Sequence, residues 1–291
     1  MSNKYKFIFF GSTLFSRIVL EKLVKNNFFP LALVCNSDKP FGRKKIITPP
    51  ETKKFILENN LENEINIFQP EILDNDFILK LKNLNADFGI VCAYSKILSN
   101  EILNIFPKGI LGIHPSLLPK YRGASPIQSA ILAGEEKSGI TIYLLDDKMD
   151  HGPVLVQKEI EIKNLNFEKV YLMLADLAGN LTLETIPLYF DGKIISQKQD
   201  ESQATYTKKF KLEDGYVDLV DIKSAKESGD KLAFEIYYKI LALNPEPGVW
   251  TIKNNKRVKL LEAEIIDNKL IIKKIKIEGE KEKNTPKDFF Q

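Results

Sequence analysis

The chain has 291 residues, 44 % of them hydrophobic, and 42 basic residues against 39 acidic ones leave a formal charge of +3. That length and apolar content exclude a disordered chain, and the near balance of charge excludes attraction of nucleic acid by bulk field, so any such binding has to come from local patches. Two cysteines (Cys35, Cys92) and two histidines give no metal-ligand spacing, no apolar run approaches a membrane span, and the start MSNKYKFIFFGS lacks a small-residue cleavage site; no metal, no membrane and a cytoplasmic location are expected.

Lys6–Phe10 is a β-rich apolar run stopped by Gly11, and Leu14–Leu23 carries apolar residues at helical spacing. Strand-like runs follow at Leu31–Cys35, Phe88–Ala93, Gly109–His114, Ile140–Leu145 and Val154–Ile162, with helical segments between the early ones. The alternation predicts an α/β fold with a mainly parallel sheet covered on both faces. Ser125-Pro126 reads as a helix start, with the serine side chain accepting an orphan amide. Asn166–Phe190 reads as a long helix whose continuity is challenged by Gly179 and Pro187. The polar stretch 201–209 is taken as a linker between a first domain, 1–200, and a second, 210–291. In that second part Lys231–Leu243 is helical in pattern, Asn244–Gly248 is a turn, and Val249–Ile252, Val258–Ala263 and Leu270–Ile277 are short strands.

Ligands of open α/β sheets collect outside the carboxyl ends of the strands, which is where His114 falls. A lone histidine at a strand end is most often a packed one. Asp150, in the turn Lys148-Met-Asp-His-Gly-Pro, changes that balance, because a carboxylate beside an imidazole holds its tautomer and stabilises its cationic form. Two basic stretches stand apart from this pair. One is Arg43-Lys44-Lys45, after Gly42. The other runs from Lys253 to Lys276 with eight basic residues against three acidic, and Lys253, Lys256 and Arg257 open it. Both suit phosphates, which position a nucleic acid without specifying its sequence.

HPSLLPKYRGASPIQSAI followed by SGITIYLLDDKMDHGPVL is similar to the folate-dependent formyltransferase family, with further matches at FFGSTLFS, DKPFGRKK, ADFGIVCAYSKILS, ATYTKKFKLEDG, ALNPEPGVWT and TPKDFF. The resemblance spans nearly the whole chain. It implies a Rossmann-like catalytic domain with a small β-rich, OB-like and here abbreviated C-terminal domain, and transfer of a formyl group from 10-formyltetrahydrofolate to an amine. The leading amine is the methionine of initiator methionyl-tRNA, with an amino-sugar nucleotide, or binding of tRNA or folate without catalysis, as the alternatives. His114 and Asp150 become the catalytic pair. The folate falls to Lys96, Ile97, Leu98, Ser116, Leu117, Leu118, Pro119, Asp146 and Asp147, and the tRNA to Arg43, Lys44, Lys45, Lys253, Lys256 and Arg257. A monomer is the default.

Gly112 departs from the family pattern, which has an asparagine two residues before the histidine. Loss of one oxyanion donor costs roughly a hundred- to a thousand-fold in turnover. Weakened activity, replacement of the donor by water or Ser125, and loss of catalysis are the three readings.

Overall fold

The computed structural model describes residues 4–42, 44–227 and 231–290. In chain order the elements are β1 (Phe7–Phe10), α1 (Leu14–Lys25), β2 (Ala32–Val34), β3 (Lys39–Phe41), β4 (Ile46–Thr48), α2 (Glu51–Glu58), β5 (Asn66–Phe68), α3 (Asn75–Asn83), β6 (Phe88–Cys92), α4 (Asn100–Leu103) and β7 (Ile110–His114). Then come β8 (Arg122–Gly123), α5 (Pro126–Leu132), β9 (Lys137–Leu144), β10 (Val154–Glu161) and α6 (Phe167–Phe190). The remainder is β11 (Tyr206–Thr207), α7 (Leu219–Glu227), α8 (Lys231–Leu243), β12 (Trp250–Lys253), β13 (Lys256–Ile266), β14 (Lys269–Ile277) and β15 (Lys283–Asn284).

Packing divides the chain into two compact units, the first made from residues 1–122, 139–159 and 172–205, the second from 123–138, 160–171 and 206–291. The first is built on a seven-stranded sheet in the order β10-β9-β7-β6-β1-β2-β5. β5, β2, β1, β6 and β7 run parallel, and β9 joins β7 antiparallel. The expected α/β class is therefore present. All four residues of β1 are buried, as in a sheet covered on both faces. Alternation sends Ile8 and Phe10 into one apolar layer with Val34, Phe77, Leu81 and Ile102. Phe7 turns to the other face, where its ring lies 5.2 Å from Phe88, and Phe88 meets Phe190 of α6 edge-on at 5.0 Å. α1 begins with a reciprocal cap: Thr13 Oγ1 accepts from Ser16 N and Ser16 Oγ accepts from Thr13 N. Ser16 Oγ also donates to the Cys92 carbonyl at 2.6 Å, which ties the helix start to the end of β6.

α6 runs unbroken through Gly179 and Pro187. Pro187 lies in its last turn, where one missing amide bond ends little of the helix, and the Asp191 amide still donates to the Pro187 carbonyl at 2.9 Å. The Ser125 expectation differs from the structure: α5 starts at Pro126, but Ser125 makes no side-chain cap bond, and its own amide donates to Thr207 Oγ1 at 3.1 Å.

The second unit holds a four-stranded antiparallel sheet, β12-β13-β14-β15. Thr251, Val258, Leu260, Leu270, Ile272 and Ile275 are buried there, and α8 packs against β13 and α5 through a stripe that includes Ala233, Ile236 and Ile240. Glu264–Leu270, within the C-terminal domain expected to be abbreviated, is a tight hairpin in which Asp267 and Asn268 sit at φ 48° and 63°. That two-residue turn with both φ values positive matches the twist of paired strands. Sequence periodicity missed β5, the β3–β4 hairpin, α7 and β15, all short or largely exposed.

Truncating Phe88 to alanine removes the ring that joins β6 to both Phe7 and Phe190, and is expected to destabilise the protein by about 3–5 kcal/mol in denaturant unfolding. The exposed Leu188→Ala, on the same helix as Phe190, is expected to change stability by less than about 0.5 kcal/mol. Burial pushes the Cys35 thiol up to about 12 and the Cys92 thiol higher still. Both are therefore protonated at pH 8 and shielded. Neither is expected to react with a thiol-titrating disulfide reagent in the folded protein, and both are expected to react once it is unfolded.

Candidate active site and nucleic-acid surface

β7 ends at His114, and the residues opposite on β9 are paired in register: Gly112 with Tyr143, and His114 with Thr141. Period-two alternation places Gly112, His114, Thr141 and Tyr143 on one face of the sheet. His114 is 6 % exposed. Its Nε2 lies 2.9 Å from the Tyr121 carbonyl oxygen, which can only accept, so this nitrogen carries the proton. Nδ1 is then the ring atom turned to Asp150, whose Oδ2 lies 3.5 Å away. This separation exceeds a good hydrogen bond and leaves the pair open to a reacting proton.

Asp150 sits in the loop between β9 and β10 at φ 51°, in the left-handed region. Gln199, buried, holds this loop from beneath by donating to the Asp150 carbonyl at 2.9 Å and the Gly152 carbonyl at 2.8 Å. Gly152 is required: a Cβ there would come 1.8 Å from the Leu144 carbonyl oxygen. Asp150 Oδ1 accepts from the Tyr143 hydroxyl at 2.7 Å. Behind Gln199 the fully buried Arg122 donates to Gln199 Oε1 at 2.7 and 3.1 Å and forks onto Glu201 at 2.6 and 3.0 Å. The guanidinium holds the Glu201 carboxyl below the usual range.

The remaining expected site residues divide by what already occupies them. Ser116 Oγ donates to the Lys120 carbonyl at 2.6 Å, and the Leu118 amide and carbonyl bond Thr141 Oγ1 and Gln157 Nε2. Leu117 and Pro119 flank them half-buried, so Ser116–Pro119 is a braced turn after β7. Lys96 Nζ donates to the Pro70 carbonyl and, at 2.6 Å, to the Glu71 carbonyl. Leu98 packs in the core, while Ile97 is 92 % exposed. Asp146 accepts from the Lys148 amide at Oδ1 and pairs with His151 Nδ1 at 2.6 Å through Oδ2, and Asp147 is exposed. The sequence reading missed Tyr143, Gln199 and His151. A glycine facing a tyrosine across a strand pair leaves no mark in a linear pattern.

Arg43 lies outside the described residues. Lys44 and Lys45 are exposed between β3 and β4, beside the exposed apolar side chains Phe41, Ile46 and Ile47. In the second unit the exposed face of the sheet carries Trp250, Ile252, Arg257, Lys259 and Lys276, as register and burial agree. The Arg257 guanidinium stacks 4.3 Å from the Trp250 ring centroid. Lys259 is paired in register with Lys276, an arrangement of like charges that weakens a sheet. Lys256 is exposed. Lys253 instead donates to the Phe289 carbonyl and lies over the Phe289 ring, while Lys273 and Lys274 are paired with Glu264 and Glu262. The basic surplus seen in sequence thus falls to Arg257, Lys259 and Lys276 on the exposed face and to Lys256 and Lys269, exposed at the hairpin ends.

Among the described residues no helix is long and apolar enough to cross a membrane, and no group of three metal-ligating side chains gathers. Residues 4–186 match the Formyl transferase family and residues 230–280 its C-terminal domain, "Formyl transferase, C-terminal domain". A methionyl-tRNA formyltransferase of Campylobacter lari is 45 % identical over 262 residues, 90 % of this chain and 80 % of that protein. In fold, the chain is similar to methionyl-tRNA formyltransferase from Clostridium thermocellum, with a TM-score of 0.60, 17 % identity and coverage of 94 % and 98 % of the two chains. It is similar also to the N-formyltransferase from Helicobacter canadensis in complex with folinic acid and dTDP-3-aminofucose, with a TM-score of 0.65, 18 % identity and coverage of 90 % and 88 %. From its first strand to its C-terminal sheet, the chain belongs to the formyl transferase family.

Proposed function

We propose that this chain formylates the amino group of methionine on initiator methionyl-tRNA, taking the formyl group from 10-formyltetrahydrofolate. The observation that carries the reading is the open His114–Asp150 pair at the end of β7, 3.5 Å apart with the imidazole fixed from behind by the Tyr121 carbonyl. Residues 1–200 are taken as the catalytic domain, 201–209 as linker and 210–291 as the tRNA-binding domain.

The folate supplies an activated formyl group. Backbone groups of Lys96–Leu98 and of the Asp146–Asp150 loop, with Ser116–Pro119, are assigned to hold it. One observation fits a flat ring there: Ile97 and Met149, apolar residues on those two loops, are 92 % and 59 % exposed.

Transfer would form a bond from the amine nitrogen to the formyl carbon and break the bond from that carbon to folate N10; charge would build on the formyl oxygen in between, and the proton the amine sheds would end on N10 as tetrahydrofolate leaves. His114 with a proton on both nitrogens donates to that oxygen or to Asp150, and Asp150 balances the cation. The carboxylate also offers a proton acceptor within reach of the imidazole. For the tRNA, Arg257, Lys259 and Lys276 on one face of the sheet, Lys256 at its hairpin end, and Lys44 and Lys45 offer phosphate contacts, while Trp250, its Nε1 donating to the Leu212 carbonyl and its ring packed on Arg257 and Tyr216, belongs to the packing of the second unit. The chain's 45 % identity to a methionyl-tRNA formyltransferase favours tRNA over an amino-sugar nucleotide as acceptor.

Formyl transfer from 10-formyltetrahydrofolate to charged initiator tRNA, read by acid-gel separation of the aminoacyl-tRNA, tests the reading. His114→Ala is expected to lower turnover by about 10²- to 10⁴-fold while tRNA still binds. Formylation of a dTDP-amino sugar but not of the tRNA would overturn the substrate assignment. Lys256→Ala is expected to weaken all tRNAs alike and to reduce the slope of log affinity against log salt by about 0.7–0.9, the decrement for a single phosphate deprived of its cation.

A further inference from the structure

Gly112 and Tyr143 are direct neighbours across β7 and β9. A Cβ at position 112 would lie 2.5 Å from Cε1 and 2.6 Å from Cζ of the Tyr143 ring, and 2.4 Å from Leu145 Cδ1. These are far inside van der Waals contact. The tyrosine ring thus fills the volume in which any side chain at 112 would begin. It cannot yield cheaply, because the ring is rigid, only 5 % exposed, and fastened at its far end by the 2.7 Å bond from its hydroxyl to Asp150 Oδ1. The other oxygen of the same carboxylate is the one that faces His114 Nδ1. Asp150 meanwhile sits in the left-handed region, which aspartate adopts more readily than most non-glycine residues.

We propose that Tyr143 is the positioning residue for Asp150, turning one carboxylate oxygen to His114 by binding the other, and that the absence of a side chain at Gly112 is the clearance this arrangement needs. The glycine is therefore one half of a pair, its partner standing across the strand. Burial, reinforced by the Asp150 charge, holds the phenol well above its usual range, so it serves as an O–H donor throughout the physiological pH span. This inference rests on the reading of His114 and Asp150 as the reacting pair. An asparagine at 112 would therefore not restore activity, since its side chain would displace the ring.

Tyr143→Phe keeps the ring and removes the donor; Gly112→Ala keeps the donor and displaces the ring. Each is expected to lower kcat by about tenfold, with KM for folate and for tRNA changed by less than about twofold. The double variant is expected to fall little further than the worse single one, the mark of two changes acting through one hydrogen bond. Gly112→Asn is expected to slow the enzyme also. Because the chain has only two histidines, the His114 ring signals can be followed by NMR in the substrate-free full chain. They are expected to move in both single variants, and thermal melting of each variant identifies any that is unfolded. The 112 and 143 variants report independently, so one remains if the other does not fold. Unchanged His114 signals, an unchanged kcat in Tyr143→Phe, a rise in KM alone, or faster turnover by Gly112→Asn would each overturn the proposal. The NMR arm needs no substrate, so it decides the inference even where the tRNA is not formylated and keeps the two failures distinct.

Discussion

The site depends on one carboxylate divided between two partners. Asp150 gives Oδ1 to a phenol and Oδ2 to an imidazole, and everything around it restricts how it can turn. Gln199 pins the backbone carbonyl, the close approach at Gly152 fixes the neighbouring backbone, and Arg122 holds Gln199 with both ends of its fork engaged. Arg122 is fully buried, and a buried guanidinium is tolerable only when its donors are matched in this way. The His114–Asp150 pair is thus supported by a polar column that starts outside the sheet and ends at the one aspartate oxygen facing the ring.

The sheet supplies the other half of the constraint. β7 is flanked by β6 on one side and β9 on the other, so the backbone at Gly112–His114 has little freedom. Period-two alternation then decides that positions 112 and 114 share a face, and antiparallel pairing with β9 decides that 141 and 143 join them. An anchored backbone lets a change at one position be absorbed by the side chain across from it. That is the relationship between Gly112 and Tyr143.

Much of the fold was legible in the sequence because its main strands are apolar on both faces and its helices carry long stripes; the expected strand ending at His114 and the helix Lys231–Leu243 coincide with the structure at those ends. The short edge strand Asn66–Phe68 escaped because three half-exposed residues have no periodicity to read. At the site, His114 and Asp150 could be singled out by chemistry and by resemblance, whereas the part played by Tyr143 could not. Its meaning lies in the register between two strands, which no spacing along the chain encodes. The basic run from Lys253 is visible in sequence as a charge surplus, but ion pairs at Lys273 and Lys274 and the anchoring of Lys253 reduce it to Arg257, Lys259 and Lys276 on one face, with Lys256 and Lys269 at the hairpin ends.

That face has a thermodynamic side. Lys259 and Lys276 stand opposite each other in register, so the sheet carries a repulsion that a polyanion would relieve. On the proposed reading, a bound phosphate backbone would stabilise the fold of this unit by mass action as well as by contact. Sheet and polyanion would then be coupled in both directions: the more firmly the sheet is formed, the tighter the grip, and the gain from binding would be greatest where like charges now face each other.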